Sequence, residues 1–176
     1  VIQMNQVEEF EKVVEEAKNQ PVKVVVVTGK PGSGKSKVLR EAAADKKWDY
    51  IDCRLLITEQ FLEIPPAERR DKAAVMMGEI LDTYNSDVIL LDRLQTLFVP
   101  VFHIDIAELL AKLSEKYVIV TAWPGYMEDG NLCYDKFDGT ESIRISAEGF
   151  TPVDLFPQTA HCEVVGALTR SQKSKG

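Results

Sequence analysis

The sequence predicts an α/β fold, a three-layer α/β/α sandwich with a mainly parallel sheet and helices on both faces. Three short runs, at residues 23–28, 87–92 and 117–123, are almost wholly apolar. Such runs are typical of parallel strands that are buried on both faces. Helical patterns lie between these runs, and strands that alternate with helices favour a parallel sheet.

Local signals place the helices. Residues 7–19 carry apolar side chains at helical spacing and stop before Pro21, because proline cannot continue a helix. A middle helix follows Pro65-Pro66, and its inward residues are Ala73, Ala74, Met76, Met77, Ile80, Leu81 and Tyr84. Asp105 and Glu108 have the spacing of a capping box at the start of a helix over residues 106–116.

Further strands and the end of the chain complete the expected layout. Residues 48–53 fit a second strand, and residues 141–146 alternate like an edge strand. Pro152, Pro157 and Gly166 interrupt the last segment. We therefore expect one domain over residues 1–176, with residues 147–176 as an irregular extension and without a full helical lid.

A glycine-rich segment stands between the first apolar run and a run of helix formers. It fits the pattern G-x-x-x-x-G-K-S/T, and its residues are Gly29, Lys30, Pro31, Gly32, Ser33, Gly34, Lys35 and Ser36. Glycines allow backbone geometry closed to other residues, so successive N–H groups can converge on phosphate oxygens. The following helix adds free N–H groups and the positive end of its dipole. This context predicts a phosphate-binding loop (P-loop) for a nucleoside triphosphate.

The residues at the end of the loop have individual predicted roles. Lys35 can reach the β- and γ-phosphates, and Ser36 can place its hydroxyl on Mg²⁺. Lys37 continues the first helical turn, and we count it with the loop among the nucleotide-binding residues. The sequence has no N-K-x-D segment of the kind that reads guanine. This favours ATP as the nucleotide.

Asp92 is the second strong signal. It ends the apolar run at 87–92, and open α/β sheets gather their ligands at the carboxyl ends of their strands. In P-loop NTPases an acid at this Walker-B position holds Mg²⁺ together with the hydroxyl of the loop. We therefore expect Ser36 and Asp92 to share Mg²⁺, and Lys35 and Asp92 to take part in catalysis.

Arg93 stands where related ATPases often carry the glutamate that positions the attacking water. Another acid can serve, with Asp52, Glu59 and Glu108 as candidates; otherwise hydrolysis is slow, or a partner supplies the group. Arg93 can act on the nucleotide of a neighbouring subunit as an arginine finger, or it can pair with a nearby acid. Arg144 is a weaker finger candidate that rests only on its strand-like context.

Two residues of the third apolar run, Thr121 and Trp123, each have two possible roles. Some ATPases have an added central strand between the P-loop strand and the Walker-B strand. There, a polar residue in the position of Thr121 (sensor 1) touches the γ-phosphate or the water, but threonine is also a common strand residue. Trp123, followed by Pro124, Gly125 and Tyr126, forms either an exposed loop that contacts a partner or nucleic acid, or a turn whose indole folds back onto the sheet.

Three segments together carry a resemblance to a known family. They are Leu90-Leu91-Asp92, Val120-Thr121-Ala122-Trp123-Pro124-Gly125 and Asp129-Gly130-Asn131-Leu132-Cys133-Tyr134. Over residues 24–146 the chain resembles the F component of bacteriophage-exclusion (BREX) defence systems. The resemblance implies a minimal AAA+/RecA-like P-loop fold and a bacterial cytoplasmic ATPase that works with other defence proteins on invading DNA. Which protein the chain contacts, and whether it contacts DNA, does not follow from these residues.

Composition restricts the class of partner. The net charge of −7 argues against broad nonspecific DNA binding, which needs clustered Lys and Arg. No apolar run has the length of a membrane span, and the widely spaced cysteines fit reduced thiols in the cytoplasm. Without a full lid, a neighbouring subunit can close the site, so we expect a homo-oligomer.

Two other functions stay open. A small-metabolite kinase can begin with the same loop, and it would bring an arginine-rich lid over the phosphates. Arg69-Arg70 is the one adjacent arginine pair in the sequence. A nucleotide-dependent scaffold that hydrolyses little is the other alternative, and Arg93 in place of glutamate supports it. The apolar Walker-B strand and the Trp-Pro-Gly loop favour the ATPase.

Overall fold

The computed structural model describes residues 6–30, 32, 34–135, 142–156 and 161–164. The helices are α1 (Gln6–Ala17), α2 (Lys35–Lys46), α3 (Glu59–Glu63), α4 (Pro66–Leu81) and α5 (Ile106–Leu113). The strands are β1 (Val24–Thr28), β2 (Asp49–Asp52), β3 (Val88–Asp92), β4 (Val118–Ala122), β5 (Tyr126–Glu128), β6 (Asn131–Asp135), β7 (Ser142–Ser146), β8 (Thr151–Phe156) and β9 (His161–Val164). Short 3₁₀ turns lie at Cys53–Leu56, Leu94–Phe98 and Pro100–Phe102.

The central sheet has the strand order β2-β3-β4-β1-β8-β9. The first five of these strands are parallel, and β9 joins β8 in the antiparallel direction. Val24 and Val26 face a core formed with α4 and α5, whereas Val25 and Val27 face a core formed with α1 and α2. The predicted three-layer α/β/α fold is therefore confirmed. Because β4 lies between β1 and β3, the sheet is that of a P-loop NTPase with an added central strand.

The central strands form because their side chains are apolar on both faces. Every residue of β1, β3 and β4 is buried. Burying a Val, Leu or Ile side chain contributes roughly 1.5–3 kcal/mol, so these strands stabilise the middle of the sheet strongly. Their carboxyl ends meet at one edge, where the loop after β1 begins.

Residues 151–156 differ from the predicted irregular extension, because they form β8 beside β1. Thr151 lies opposite Val25, and Val153 and Leu155 are buried in the core between the sheet and α1 and α2. This apolar alternation overrides the local signal of Pro152, which is tolerated near the start of a strand. Residues 161–164, also predicted as irregular, form β9 and pair with β8. Residues 157–160 and 165–176 of the predicted extension lie outside the described residues.

A second, antiparallel sheet has the order β5-β6-β7. Asp129 and Gly130 join β5 to β6 with φ of 53° and 77°, as in a type I′ hairpin turn. The predicted edge strand at 141–146 corresponds to β7, at the edge of this small sheet. Within the described ranges no helix follows α5, so a full helical lid is absent from this part of the chain.

Helix ends differ from prediction by a few residues. α1 ends at Ala17 and α5 at Leu113, because each continues as a turn with i→i+3 hydrogen bonds instead of an α-helix. Lys18 N–H, for example, donates to Glu15 O at 3.3 Å. The short helix α3 lies in a segment before Pro65 where no helix was predicted. No helix in the described part of the chain is long and apolar enough to cross a membrane.

Candidate functional site

The loop between β1 and α2 has the backbone geometry that the glycine-rich motif predicts. Gly32 and Gly34 have φ of 81° and 93°, in the left-handed region that glycine favours. The first helical hydrogen bond runs from Val38 N–H to Gly34 O at 2.9 Å. The N–H groups of the three residues before Val38 therefore have no acceptor within the helix. They lie at the positive end of the α2 dipole, which suits phosphate oxygens.

The other residues predicted to bind the nucleotide differ in the groups that they can offer to it. Pro31 and Ser33 lie outside the described residues. Lys30 is exposed. The Nζ atom of Lys37 lies 3.8 Å from Oε1 of Glu41, one turn along α2. Because this side chain lies along the helix surface, the group that Lys37 can offer to a nucleotide is its backbone N–H.

The side chain of Lys35 folds back across the loop. Its Nζ donates to Gly29 O at 2.7 Å and to Lys30 O at 3.5 Å. Burial lowers the pKa of the Lys35 amine, and the carboxylates of Asp154 and Asp92 act against that shift. The ammonium group is thus held by neutral carbonyl oxygens, which a charged phosphate can replace.

Ser36 and Asp92, the two residues predicted to share a metal ion, are in direct contact. Ser36 Oγ donates to Asp92 Oδ1 at 3.1 Å. The backbone N–H of Arg93 donates to the same oxygen at 2.9 Å. Asp92 is 7% exposed, and it is placed there because α2 packs over the face of β3. The fold therefore joins the start of α2 to the carboxyl end of β3.

The oxygen atoms of Ser36 and Asp92 are suitable ligands for Mg²⁺. A hydroxyl and a carboxylate are hard oxygen ligands, the kind that Mg²⁺ prefers. Within the described residues, no group of three or more His, Cys, Asp or Glu side chains could hold a metal ion. A Mg²⁺ ion beside Ser36 and Asp92 would take its other ligands from phosphate and water, as is usual for magnesium bound through one or two carboxylates.

Tyr50 is a third side chain at Asp92, and it was not predicted. Its hydroxyl donates to Asp92 Oδ2. Tyr50 lies on β2, opposite Leu90 of β3. Burial and, after it, the hydrogen bond to Asp92 raise the pKa of Tyr50. Alternation along β2 placed Tyr50 and Asp52 on one face, but the sequence did not reveal that this strand pairs with β3.

Arg93 pairs with an acid of its own chain. Its Nε lies 3.1 Å from Oδ2 of Asp52, and Asp52 lies directly opposite Asp92 in the β2–β3 pair. Arg54 binds the same oxygen of Asp52 at 2.7 Å. The Arg54 hydrogen bond is the main reason that the pKa of Asp52 lies below its usual value. Arg93 thus has the intramolecular ion pair that was one of its two predicted roles.

The other candidates for positioning water, or for an arginine finger, lie elsewhere. Asp52 lies directly opposite Asp92, on the neighbouring strand β2. Glu59 is exposed at the start of α3, and Glu108 lies on α5, where it forms ion pairs with two cationic side chains. Arg144 is exposed on β7 of the small sheet. Among these four residues, the structure brings only Asp52 to the strands around Asp92.

Thr121 lies inside the sheet, opposite Leu91 of β3. It is 0% exposed, and its Oγ1 has no hydrogen-bond partner among the described residues. Its neighbour Ile119, two residues earlier on β4, packs in the core with α4 and α5. Because side chains alternate along a strand, Thr121 faces that core too. The structure does not bring it together with Ser36 and Asp92, which lie on the α2 face.

The carboxyl end of β8 adds an acid that the sequence analysis missed. Thr28 Oγ1 donates to Val153 O at 3.2 Å and to Asp154 Oδ1 at 3.5 Å. Asp154 also acts electrostatically on Lys35. Its place beside the loop depends on β8, which the prolines of this segment concealed.

The two adjacent arginines considered for a kinase lid are both engaged away from the loop. Arg69 is 7% exposed. It donates to three backbone carbonyls, those of Leu62 at 2.7 Å, Ile64 at 3.0 Å and Val101 at 2.5 Å. Arg70 forms ion pairs with Asp105 at 3.3 Å and Glu108 at 2.9 Å. These contacts give Arg69 a structural role and give no support to a lid.

Trp123 folds into the protein, which agrees with the second of its two alternatives, the turn whose indole folds back, and not with the exposed loop. It is 0% exposed, and its Nε1 donates to Cys133 O at 2.8 Å. Its ring centroid lies 5.3 Å from that of Phe98. The chain must pass close to β6 here, because a Cβ atom at Gly125 would lie 1.9 Å from Cys133 O. Tyr126 is the part of this loop that stays exposed, at 43%.

No protein-family model and no curated protein matches the sequence. One solved structure that it matches is AMPPCP-bound DnaA from Aquifex aeolicus, with a TM-score of 0.41 and 18% identity. The match covers 88% of this chain and 48% of that chain, so this chain spans about half its length. The fold assignment rests on the strand order and the loop geometry, not on this similarity.

Proposed function

We propose that the chain is a P-loop ATPase, which binds ATP with Mg²⁺ and hydrolyses it to ADP and phosphate. The observation that carries this proposal is the contact of 3.1 Å between Ser36 Oγ and Asp92 Oδ1. It joins the first turn of α2, with its free N–H groups, to the carboxyl end of β3. A hydroxyl and a carboxylate in this position suit a magnesium ion beside the β- and γ-phosphates.

The residues of the loop would act by binding and by charge. The free N–H groups at the start of α2 would hold the phosphates in place. Lys35 would exchange Gly29 O for phosphate oxygens, where its charge offsets the charge that develops on the transferred phosphoryl group. Bound Mg²⁺ supplies further neutralisation of the phosphate oxygens. Burial of Asp92 strengthens its electrostatic effect, because the local dielectric constant is low.

We infer that hydrolysis by the isolated chain is slow. Asp52 lies directly opposite Asp92 on the neighbouring strand, but its carboxylate forms ion pairs with Arg54 and Arg93. For Asp52 to accept a proton from water, at least one of these ion pairs has to open. A second copy of the chain or a partner that engages Arg93 would favour such opening. The same arrangement supports the alternative of a nucleotide-dependent scaffold.

The wider role that we propose is in a cytoplasmic anti-phage complex of bacteria, as a homo-oligomer with other BREX defence proteins. The support is the resemblance of residues 90–92, 120–125 and 129–134 to the F component of those systems. The net charge of −7 favours protein partners over direct contact with DNA. The kinase alternative loses its main support, since Arg69 and Arg70 are engaged elsewhere.

Equilibrium binding of ATP, measured by calorimetry with Mg²⁺, tests the first step. Lys35→Ala should weaken binding about 10- to 100-fold, the equivalent of losing a hydrogen bond to a charged group. Lys72→Ala is the matched control, because Lys72 is an exposed lysine paired with Glu68 on α4 at 3.0 Å. Retained affinity in Lys35→Ala, or no binding by the wild type, would contradict the proposal.

Single-turnover hydrolysis by the oligomer, with and without DNA, separates the three functions. Phosphate release without an added acceptor identifies an ATPase, transfer that requires an acceptor identifies a kinase, and persistent bound ATP identifies a scaffold. Light scattering with ATP and Mg²⁺ across the micromolar range tests the homo-oligomer, and a monomer at every concentration would contradict it. Adding double-stranded DNA to both assays tests for contact with DNA.

A further inference from the structure

Both oxygens of the Asp92 carboxylate have donors from the protein. Oδ1 accepts from Ser36 Oγ at 3.1 Å and from the N–H of Arg93 at 2.9 Å. Oδ2 accepts from the hydroxyl of Tyr50. The carboxylate therefore cannot rotate about its Cβ–Cγ bond without breaking at least one hydrogen bond on each side. Its orientation is set before any ligand binds.

Tyr50 is well placed to fix this orientation. Its ring packs against the core between the sheet and α2, so few positions are open to the hydroxyl. The side chain of Arg40, on α2, also interacts with this hydroxyl. The hydroxyl is thus held at Asp92 Oδ2 by the packing of its own ring.

We propose that Tyr50 is a positioning residue for the metal ion, because its hydroxyl holds Asp92 Oδ2 and keeps Oδ1 turned toward Ser36. The inference deepens the proposed function and rests on it. Partners that orient a ligand in this way typically change metal affinity 10- to 100-fold when they are removed. If Tyr50 instead competed with the metal for Asp92, its removal would increase metal affinity. The two roles predict opposite changes.

Binding of ATP at a series of Mg²⁺ concentrations, by wild type and by Tyr50→Phe, tests the inference. The Mg²⁺ concentration for half-maximal tightening of ATP binding should rise about 10-fold in Tyr50→Phe. ATP affinity without Mg²⁺ should stay within about 2-fold, because Lys35 and the N–H groups of α2 are untouched. This measurement does not depend on hydrolysis.

Tyr117→Phe is the matched control. The Tyr117 hydroxyl donates to Asp82 Oδ1, so the control removes the same kind of hydrogen bond next to the amino end of β4, at the other edge of the sheet. It should keep the Mg²⁺ midpoint of the wild type.

The binding measurements test the positioning role of Tyr50 separately from the proposed ATP site. An unchanged or lower midpoint in Tyr50→Phe would overturn the positioning role and leave the proposed ATP site intact. Loss of ATP binding without Mg²⁺ in Tyr50→Phe would also overturn it, since Tyr50 would then support the fold of the loop. Absence of ATP binding by the wild type at every Mg²⁺ concentration would overturn the proposed function itself.

Discussion

Glu11 on α1 is a buried carboxyl group that should make the stability of the fold depend on pH. It is 6% exposed, and its Oε2 has no hydrogen-bond partner among the described residues. Burial, followed by a hydrogen bond with Asp45 of α2, raises the pKa of Glu11 from 4.5 to about 7. The folded chain therefore holds this proton more tightly than the unfolded chain does.

The sign and size of the effect follow from proton linkage. The stability that protonated Glu11 contributes is fully present below pH 4.5 and is lost as the pH rises through about 7. At roughly 1.4 kcal/mol per pH unit, a rise in pKa from 4.5 to about 7 corresponds to about 3 kcal/mol. The free energy of unfolding of the wild type should fall by up to this amount, relative to Glu11→Gln, between about pH 4.5 and 8.

Urea unfolding followed by tryptophan fluorescence measures this difference, because Trp48 and Trp123 are both buried. The two proteins are compared at several pH values across the range. Glu16→Gln is the control, since it removes an exposed carboxylate from the same helix and leaves the buried Glu11 in place. A difference between wild type and Glu11→Gln that stays constant over the range would refute the reasoning.

Two further predictions concern parts of the fold away from the loop. Gly125→Ala should destabilise the protein by about 1–3 kcal/mol, because the new Cβ would lie 1.9 Å from Cys133 O; an unchanged melting temperature would contradict this close approach. Arg69→Met should lower the free energy of unfolding in urea by about 3 kcal/mol, because three backbone carbonyls lose their charged donor. Arg70→Met removes exposed ion pairs and should have little effect, so equal losses in the two arginine variants would show that the carbonyl contacts are not the cause.

The sheet was predictable from the sequence where strands are buried on both faces. β1, β3 and β4 are apolar along their whole length, and such runs leave little choice but a central parallel strand. β8 is different, because Pro152 and Pro157 are local signals for a loop. Its strand conformation depends on pairing with β1, which is distant in sequence. Asp129-Gly130, by contrast, is a local hairpin signal, and β5 and β6 pair around it.

The candidate site divides in the same way between local and long-range information. The P-loop is one continuous segment, so its motif could be recognised directly. Tyr50 and Asp52 reach Asp92 because β2 pairs with β3 in one particular register, which no local pattern reveals. The side of the sheet on which Thr121 lies depends on strand alternation, and one residue of shift would reverse it.

Asp52 and Asp92 lie side by side in the sheet, yet their surroundings give them different roles. Strands pair about 4.8 Å apart, so two free carboxylates here would together repel a nucleotide phosphate. Arg54 and Arg93 neutralise Asp52, whereas the donors to Asp92 are two hydroxyls and a backbone N–H. Both arginines thus pair with Asp52, and the carboxylate of Asp92 is the one available to a cation. A glutamate in place of Arg93 would leave three acids at one edge, so the arginine at this position is consistent with a neighbouring strand that already supplies an acid.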